Sequence, residues 1–122
     1  MIDLHLHTTA SDGRSTPLEL VREAVAAGIT TLAVTDHDTV ASVPEVVAAA
    51  KAAGVVAVAG IEITAVHAGR DVHVLGYFID PSSTSLNDFL VRQRQDREEW
   101  GLASHLRCVC VNRNRDAGNC SS

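Results

Sequence analysis

Aromatic residues are nearly missing from this 122-residue chain: one Trp, one Tyr and two Phe make up 3% of it. A core must therefore be built from Ala, Val, Leu and Ile. Positive charge is not in excess either. The formal net charge of −5 gives no broad attraction to nucleic acid or to an anionic membrane, so stable DNA binding is not expected. No apolar run reaches the roughly 18 residues that a membrane-spanning helix needs. No charged segment followed by an apolar one opens the chain as a secretory signal would, which points to the cytoplasm. Cysteine is confined to Cys108, Cys110 and Cys120 in the last fifteen residues. An odd, clustered set is not a disulfide framework, and its spacing does not suit zinc, so these read as incidental thiols.

What remains is 46% hydrophobic and 20% charged, the composition of a globular domain. The pattern alternates. Ile2–Leu6 reads as a strand. Thr16-Pro17-Leu18-Glu19 reads as a helix start, with Thr16 at the N-cap, Pro17 in the first turn and Glu19 closing a capping box. That helix is expected to reach about Ala27, ahead of Gly28. Thr30–Thr35 is a β-branched, apolar strand. Ser42-Val43-Pro44-Glu45 repeats the capping logic for a helix ending before Gly54. Val55–Ala59 is a third strand. Ile61–His67 and Asp71–Ile79 flank a turn at 68–70 and read as a hairpin. Ser85 is expected to cap a last helix from Leu86 to about Trp100. The order predicts an α/β fold on a parallel sheet.

Residues 101–122 differ in character. Arg107, Arg113 and Arg115 against Asp116 give a net +2, which leaves −7 for residues 1–100. We expect one domain over 1–100 and an atypical, disordered tail over 101–122.

Ligand-type residues gather in four stretches: "DLHLHTTASDG", "TDHDT", "GIEIT" and "DVHVLGYFID". Each lies at the end of an expected strand or in the hairpin, where α/β sheets build sites. His5 and His7 are two apart on a strand, so they project from one face, and Asp12 follows on a glycine-containing loop. His37 stands between Asp36 and Asp38, either of which could orient its ring. Glu62 lies between two isoleucines, an expensive place for a carboxylate unless it is paired or on a metal. His73 lies between two valines. Taken singly, each also fits a bland role: satisfied strand-end histidines, a solvated turn, a solvent-facing glutamate, a core histidine. Together they suit Zn²⁺, Mn²⁺ or Fe²⁺, and a carboxylate such as Glu62 can bridge two ions. His67 is expected to be exposed, Arg14 to lie on the surface, and His105 to be incidental. No serine or cysteine in residues 1–100 forms a recognisable nucleophile–base pair, so no covalent intermediate is expected.

In order and spacing these four motifs resemble the PHP (polymerase and histidinol phosphatase) family, over residues 1 to about 100. The resemblance implies the N-terminal portion of a distorted (β/α)₇ barrel with up to three metal ions at its strand ends. It implies His5, His7 and Glu62 on one ion, Glu62 and His73 on a second, and Asp12 and His37 on a third. It implies a metal-dependent phosphoesterase acting by metal-activated water, closest to the stand-alone branch that takes nucleoside 3′,5′-bisphosphates or short RNA from the 5′ end. The family's later His and Asp-x-His ligands have no counterpart after residue 80. The chain is therefore expected to be an N-terminal part, less active than a full-length relative, with an unclosed edge at Val55–Ala59 and Asp71–Ile79 that promotes self-association. The tail is read as a fragment end or an out-of-frame stretch. Two alternatives stay open: a PHP module beside a DNA polymerase, and an inactive metal-binding fragment.

Overall fold

The computed structural model describes residues 1–98. The chain divides after Leu90, and the fold below is that of the first compact unit, Met1–Leu90. Its elements are β1 (Ile2–Leu6), α1 (Pro17–Ala26), β2 (Thr31–Val34), α2 (Val43–Ala52), β3 (Val56–His67) and β4 (Arg70–Tyr77). Helical backbone resumes at 84 and continues through 98, the last described residue. The expectations for Trp100, His105, the cysteines and the 101–122 tail lie outside the described residues. Among those residues no helix is long and apolar enough to cross a membrane.

The start of α1 is as the sequence predicts. The Thr16 hydroxyl accepts from the Glu19 N–H, the Thr16 N–H donates to the Glu19 carboxylate at 2.9 Å, and Pro17 occupies the first turn. The helix buries Leu20, Val21 and Ala24, and α2 buries Val43, Val46 and Ala50. Both stripes belong to one core with Leu32 and Val34 of β2, Ile61 of β3 and Leu90. At about 25 cal/mol per Å² of apolar surface, this burial is the main force holding helices on the sheet.

Two expected caps are corrected. Ser42 has helical backbone angles and makes no capping bond; its hydroxyl turns instead to Asp36. The Ser42 hydroxyl donates to a buried carboxylate, a charge-assisted bond stronger than the neutral bond in which it would accept from a helix N–H. The last helix starts at 84 rather than Leu86, and Ser83 rather than Ser85 accepts from the Leu86 N–H at 3.3 Å. Several hydroxyls stand in a row there, and the one three residues ahead of the amide has the reach.

The sheet has the order β1-β2-β3-β4. β1–β2 and β2–β3 are parallel and β3–β4 is antiparallel, as the expected parallel sheet and the expected hairpin require. A two-residue loop makes the hairpin. Ala68 and Gly69 both take positive φ, 50° and 75°, the geometry of the tight hairpin turn. β3 also replaces two expected strands by one. Residues 56–59 pair with β2 and residues 60–67 with β4. Gly60 at the junction is not a break but a close approach. A Cβ there would lie 2.8 Å from Thr35 Cγ2 and 2.9 Å from the Val34 carbonyl oxygen.

The open edge expected at Val55–Ala59 is therefore paired to β2 over 56–59, and the outer strand is β4, with Val72 and Val74 exposed. The sheet curls enough for Tyr77 on β4 to donate its hydroxyl to the Leu4 carbonyl on β1 at 2.9 Å.

Two outcomes follow from these local arrangements. Gly60→Ala should lower unfolding free energy by about 1–3 kcal/mol in urea denaturation, the usual cost of overpacking. Adding Thr35→Ser should recover part of it by removing one of the two clashing atoms. At the capping box, the Thr16 backbone N–H and then its hydroxyl hold the Glu19 carboxyl below its ordinary 4.5. A lowered folded-state value means the box stabilises above that ordinary value and is lost as pH falls through the lowered one. An NMR titration should place Glu19 below 4.5 and move it upward in Thr16→Ala.

Candidate metal centre

β1 does not run regularly into the site. Its register against β2 shifts between Asp3 and Leu6, and the Asp3 carboxylate accepts from the His5 N–H at 3.1 Å. Such a bulge re-aims side chains. His5 and His7 emerge side by side, with ring centroids 5.0 Å apart. Beyond β2, residues 36–38 run alongside β3. The Glu62 N–H donates to the Asp36 carbonyl at 3.2 Å and the Asp38 N–H donates to the Glu62 carbonyl at 2.9 Å. This backbone bridge sets His37 opposite Glu62. Cross-strand pairing then sets His73 of β4 opposite Thr64.

Glu62 is 4% exposed, and four imidazoles close on its carboxylate. His5 Nε2 stands 2.7 Å, His7 Nε2 3.2 Å and His37 Nε2 3.8 Å from Oε2, and His73 Nδ1 stands 3.0 Å from Oε1. Asp12, with an exposed side chain, approaches from the loop: its oxygens are 3.4 Å from His7 Nδ1 and 3.5 Å from His37 Nε2. His7 and His37 stack at 4.8 Å. The structure thus brings together all six residues singled out in the sequence, and it leaves His67 and Arg14 exposed as expected.

The donor set fits divalent metal. Three overlapping groups have ligand atoms mutually within 4.8 Å: His5, His7 and Glu62; His7, Asp12 and His37; His37, Glu62 and His73. His7 Nδ1 is buried with no hydrogen-bond partner among the described residues; its approach to Asp12 meets an ion-pair distance without hydrogen-bond geometry. A buried imidazole nitrogen left unbonded beside a carboxylate costs free energy in the absence of a cation. Mixed imidazole and carboxylate ligation suits borderline ions.

The flanking aspartates do not orient His37 as expected. Asp36, 1% exposed, turns away from the site and accepts from the Thr8 N–H at 2.6 Å, the Thr8 hydroxyl at 2.7 Å, the Ser11 hydroxyl at 2.8 Å and the Ser42 hydroxyl. Asp38 accepts from the Thr64 N–H at 3.0 Å. The contact on the other ring nitrogen of His37 comes from the Thr64 hydroxyl, which lies 3.5 Å from His37 Nδ1 and 3.4 Å from His73 Nδ1. No motif in the sequence marks Thr8 or Thr64, and Asp36 takes a part other than the expected one beside the His37 ring. The run of hydroxyls after His7 is the available signal, since such donors need an acceptor once buried.

The PHP domain family model matches residues 3–115. A 5′-3′ exoribonuclease of Haemophilus influenzae is 41% identical over 97 residues, covering 80% of this chain and 35% of that protein. A 3′,5′-nucleoside bisphosphate phosphatase of Chromobacterium violaceum is 38% identical over 98 residues, covering 80% and 34%. Among solved structures, a C. violaceum amidohydrolase with bound sulfate and no metal superposes with TM-score 0.76 at 38% identity. A Bifidobacterium adolescentis protein described as a metal-dependent phosphoesterase superposes with TM-score 0.74 at 37% identity. Each structure is covered to 34%, and each covers 80% of this chain. The chain spans about a third of the length of the curated relatives named above.

The buried Asp36 cluster generates a stability outcome. Thr8→Val keeps the volume of a fully buried side chain but deletes one donor to a buried carboxylate. A hydrogen bond to a charged group contributes about 1.5–3 kcal/mol, and urea unfolding should show a loss of that size.

Proposed function

The chain belongs to the PHP domain family, and from that premise we propose that it carries the metal centre of a phosphoesterase that hydrolyses phosphate esters. The observation that carries the reading is the convergence of four imidazoles on the buried Glu62 carboxylate, with Asp12 beside them. In this reading His5, His7 and Glu62 hold one divalent ion, Glu62 and His73 a second, and Asp12 and His37 a third. Manganese, zinc and ferrous iron all match the donor set.

The chemistry that such ions supply is Lewis-acid polarisation of a phosphoryl oxygen and activation of water for attack. The chain's own residues do the rest. β1, β3 and β4 fix the imidazoles before any substrate arrives. Thr64 orients His37 from behind, through the ring nitrogen that does not face Glu62. The described serines bond to carboxylates, backbone groups or one another, none of them to an imidazole. The reading therefore gives the attack to water rather than to a serine. For substrate we propose a small phosphorylated nucleotide, a 3′,5′-bisphosphate or the 5′ end of short RNA. The support is the activity named for the exoribonuclease and bisphosphatase relatives, together with the sulfate bound in the C. violaceum neighbour.

The test uses the full chain reconstituted with Mn²⁺ or Zn²⁺. Equilibrium dialysis should show His7→Ala binding metal at least about tenfold more weakly, since even outer-shell losses cost 10–100-fold. Release of phosphate from a nucleoside 3′,5′-bisphosphate should stop on adding EDTA. Equal metal retention by His7→Ala, or chelator-resistant hydrolysis, overturns the reading.

A further inference from the structure

The six ligand-type residues are not held equally. His5, Glu62 and His73 stand on strands, and His37 is fixed by the backbone bridge to Glu62. Asp12 stands on the 9–15 loop, and its side chain is 68% exposed. Nearly every bond that shapes this loop leads to Thr8. The Ala10 N–H donates to the Thr8 hydroxyl, and the Ser11 and Gly13 N–H groups donate to the Thr8 carbonyl. Gly13 is pressed so closely there that a Cβ would lie 2.2 Å from the His7 carbonyl oxygen. Thr8 in turn is held by Asp36 through both its N–H and its hydroxyl. The Ser11 hydroxyl touches Asp36 at 2.8 Å and Asp12 at 3.3 Å. It has one proton, and the nearer oxygen takes it.

We infer that Asp36 is a positioning residue: through Thr8 and Ser11 it clasps the 9–15 loop and so sets Asp12 beside His37, without itself touching a metal. The inference rests on the metal-centre reading. It adds that one class of metal site depends on a buried carboxylate outside the ligand set, whereas the His5, His7 and Glu62 group does not. Asp36 is built for this role. Its two oxygens receive four donors from three residues in two segments: Thr8 and Ser11 at and within the loop, and Ser42 at the entry to α2. A carboxylate that accepts several such bonds in a buried setting holds its partners more firmly than a neutral acceptor does.

The experiment compares wild type, Asp36→Asn, Ser11→Ala and, as a control in the same loop, Ser15→Ala, whose hydroxyl bonds to Glu23 instead. Two readouts are taken on the full chain. Amide hydrogen exchange without metal should speed up at Ala10, Ser11 and Gly13 in Asp36→Asn by about tenfold, the factor that a lost charge-assisted hydrogen bond is worth. Exchange in β3 should stay unchanged. Manganese titration should show one class of sites weakened about tenfold or lost in Asp36→Asn and Ser11→Ala, the other class intact, and Ser15→Ala like wild type.

Ser11→Ala removes a half-buried hydroxyl outside the core and carries the titration if Asp36→Asn does not fold. Uniform weakening of all sites, or no change in either variant, overturns the positioning role. Wild-type protein that binds no manganese overturns the metal-centre reading, and the metal part of this inference with it. Unchanged exchange at the three amides overturns the clasp whatever the metal result.

Discussion

A carboxylate taken out of water has to be met by donors or cations, and Glu62 imposes that demand on the centre of the molecule. Moving an ion of this size into the interior costs several kcal/mol even after relaxation. The strand that carries Glu62 cannot move away from the core, because its neighbour Ile61 is 1% exposed. So the surroundings come to Glu62. β3 passes β2 at a distance only glycine permits at position 60, residues 36–38 dock on its backbone, and the hairpin folds β4 back along it. The second of these contacts delivers His37 and the third His73, while β1 brings His5 and His7. The same geometry that satisfies the carboxylate assembles nitrogen ligands around it.

Asp36 answers the same demand in another way. It is buried as deeply as Glu62, but its oxygens are filled by hydroxyls and a backbone N–H. Those donors are short, are fixed by their own backbones and hold no lone pair that suits a borderline ion. Two buried carboxylates in one small domain thus take opposite parts. One is surrounded by groups that bind metal, the other by groups that hold chain segments together. Protein chemistry separates the two roles by the neighbours and not by the acid itself.

The local part of this arrangement is legible in the amino-acid sequence. Periodicity and capping residues locate β1, α1, β2 and α2 to within a residue or two, because Thr16, Pro17 and Glu19 act through bonds three residues long. The six ligand-type residues are legible because His or Glu among Val, Ile and Leu is costly to bury without a polar or metal partner. What is not legible depends on long-range contact. Gly60 has the signature of a break, and only the proximity of Val34 and Thr35 shows it to be a crossing point. Ser42 has the signature of a cap, and only Asp36, six residues earlier, draws its hydroxyl away. Asp36 and Asp38 look like partners for the His37 ring because they are adjacent in sequence. Residues next to a strand-end His alternate in direction, so adjacency places them away from it.

The overlap among the three ligand groups limits how the proposed centre can be filled. His7 offers Nε2 to the Glu62 group and Nδ1 to the Asp12 group, while His37 offers the same Nε2 to two groups. A neutral imidazole has one lone pair, so each of these histidines serves a single ion. A carboxylate has two oxygens and about four acceptor sites, and Glu62 is the buried one placed with both oxygens facing imidazoles, at 2.7 and 3.0 Å. Counting each histidine once and letting Glu62 bridge leaves three protein ligands on one ion and two on each of the others. Shells that small have coordination positions to spare. Catalytic sites need such open positions, where closed structural sites have none. The relatives are about three times as long as the matched segment. In the proposed centre such positions would be open to water and substrate, and what the four strands supply is the fixed arrangement of side chains around Glu62.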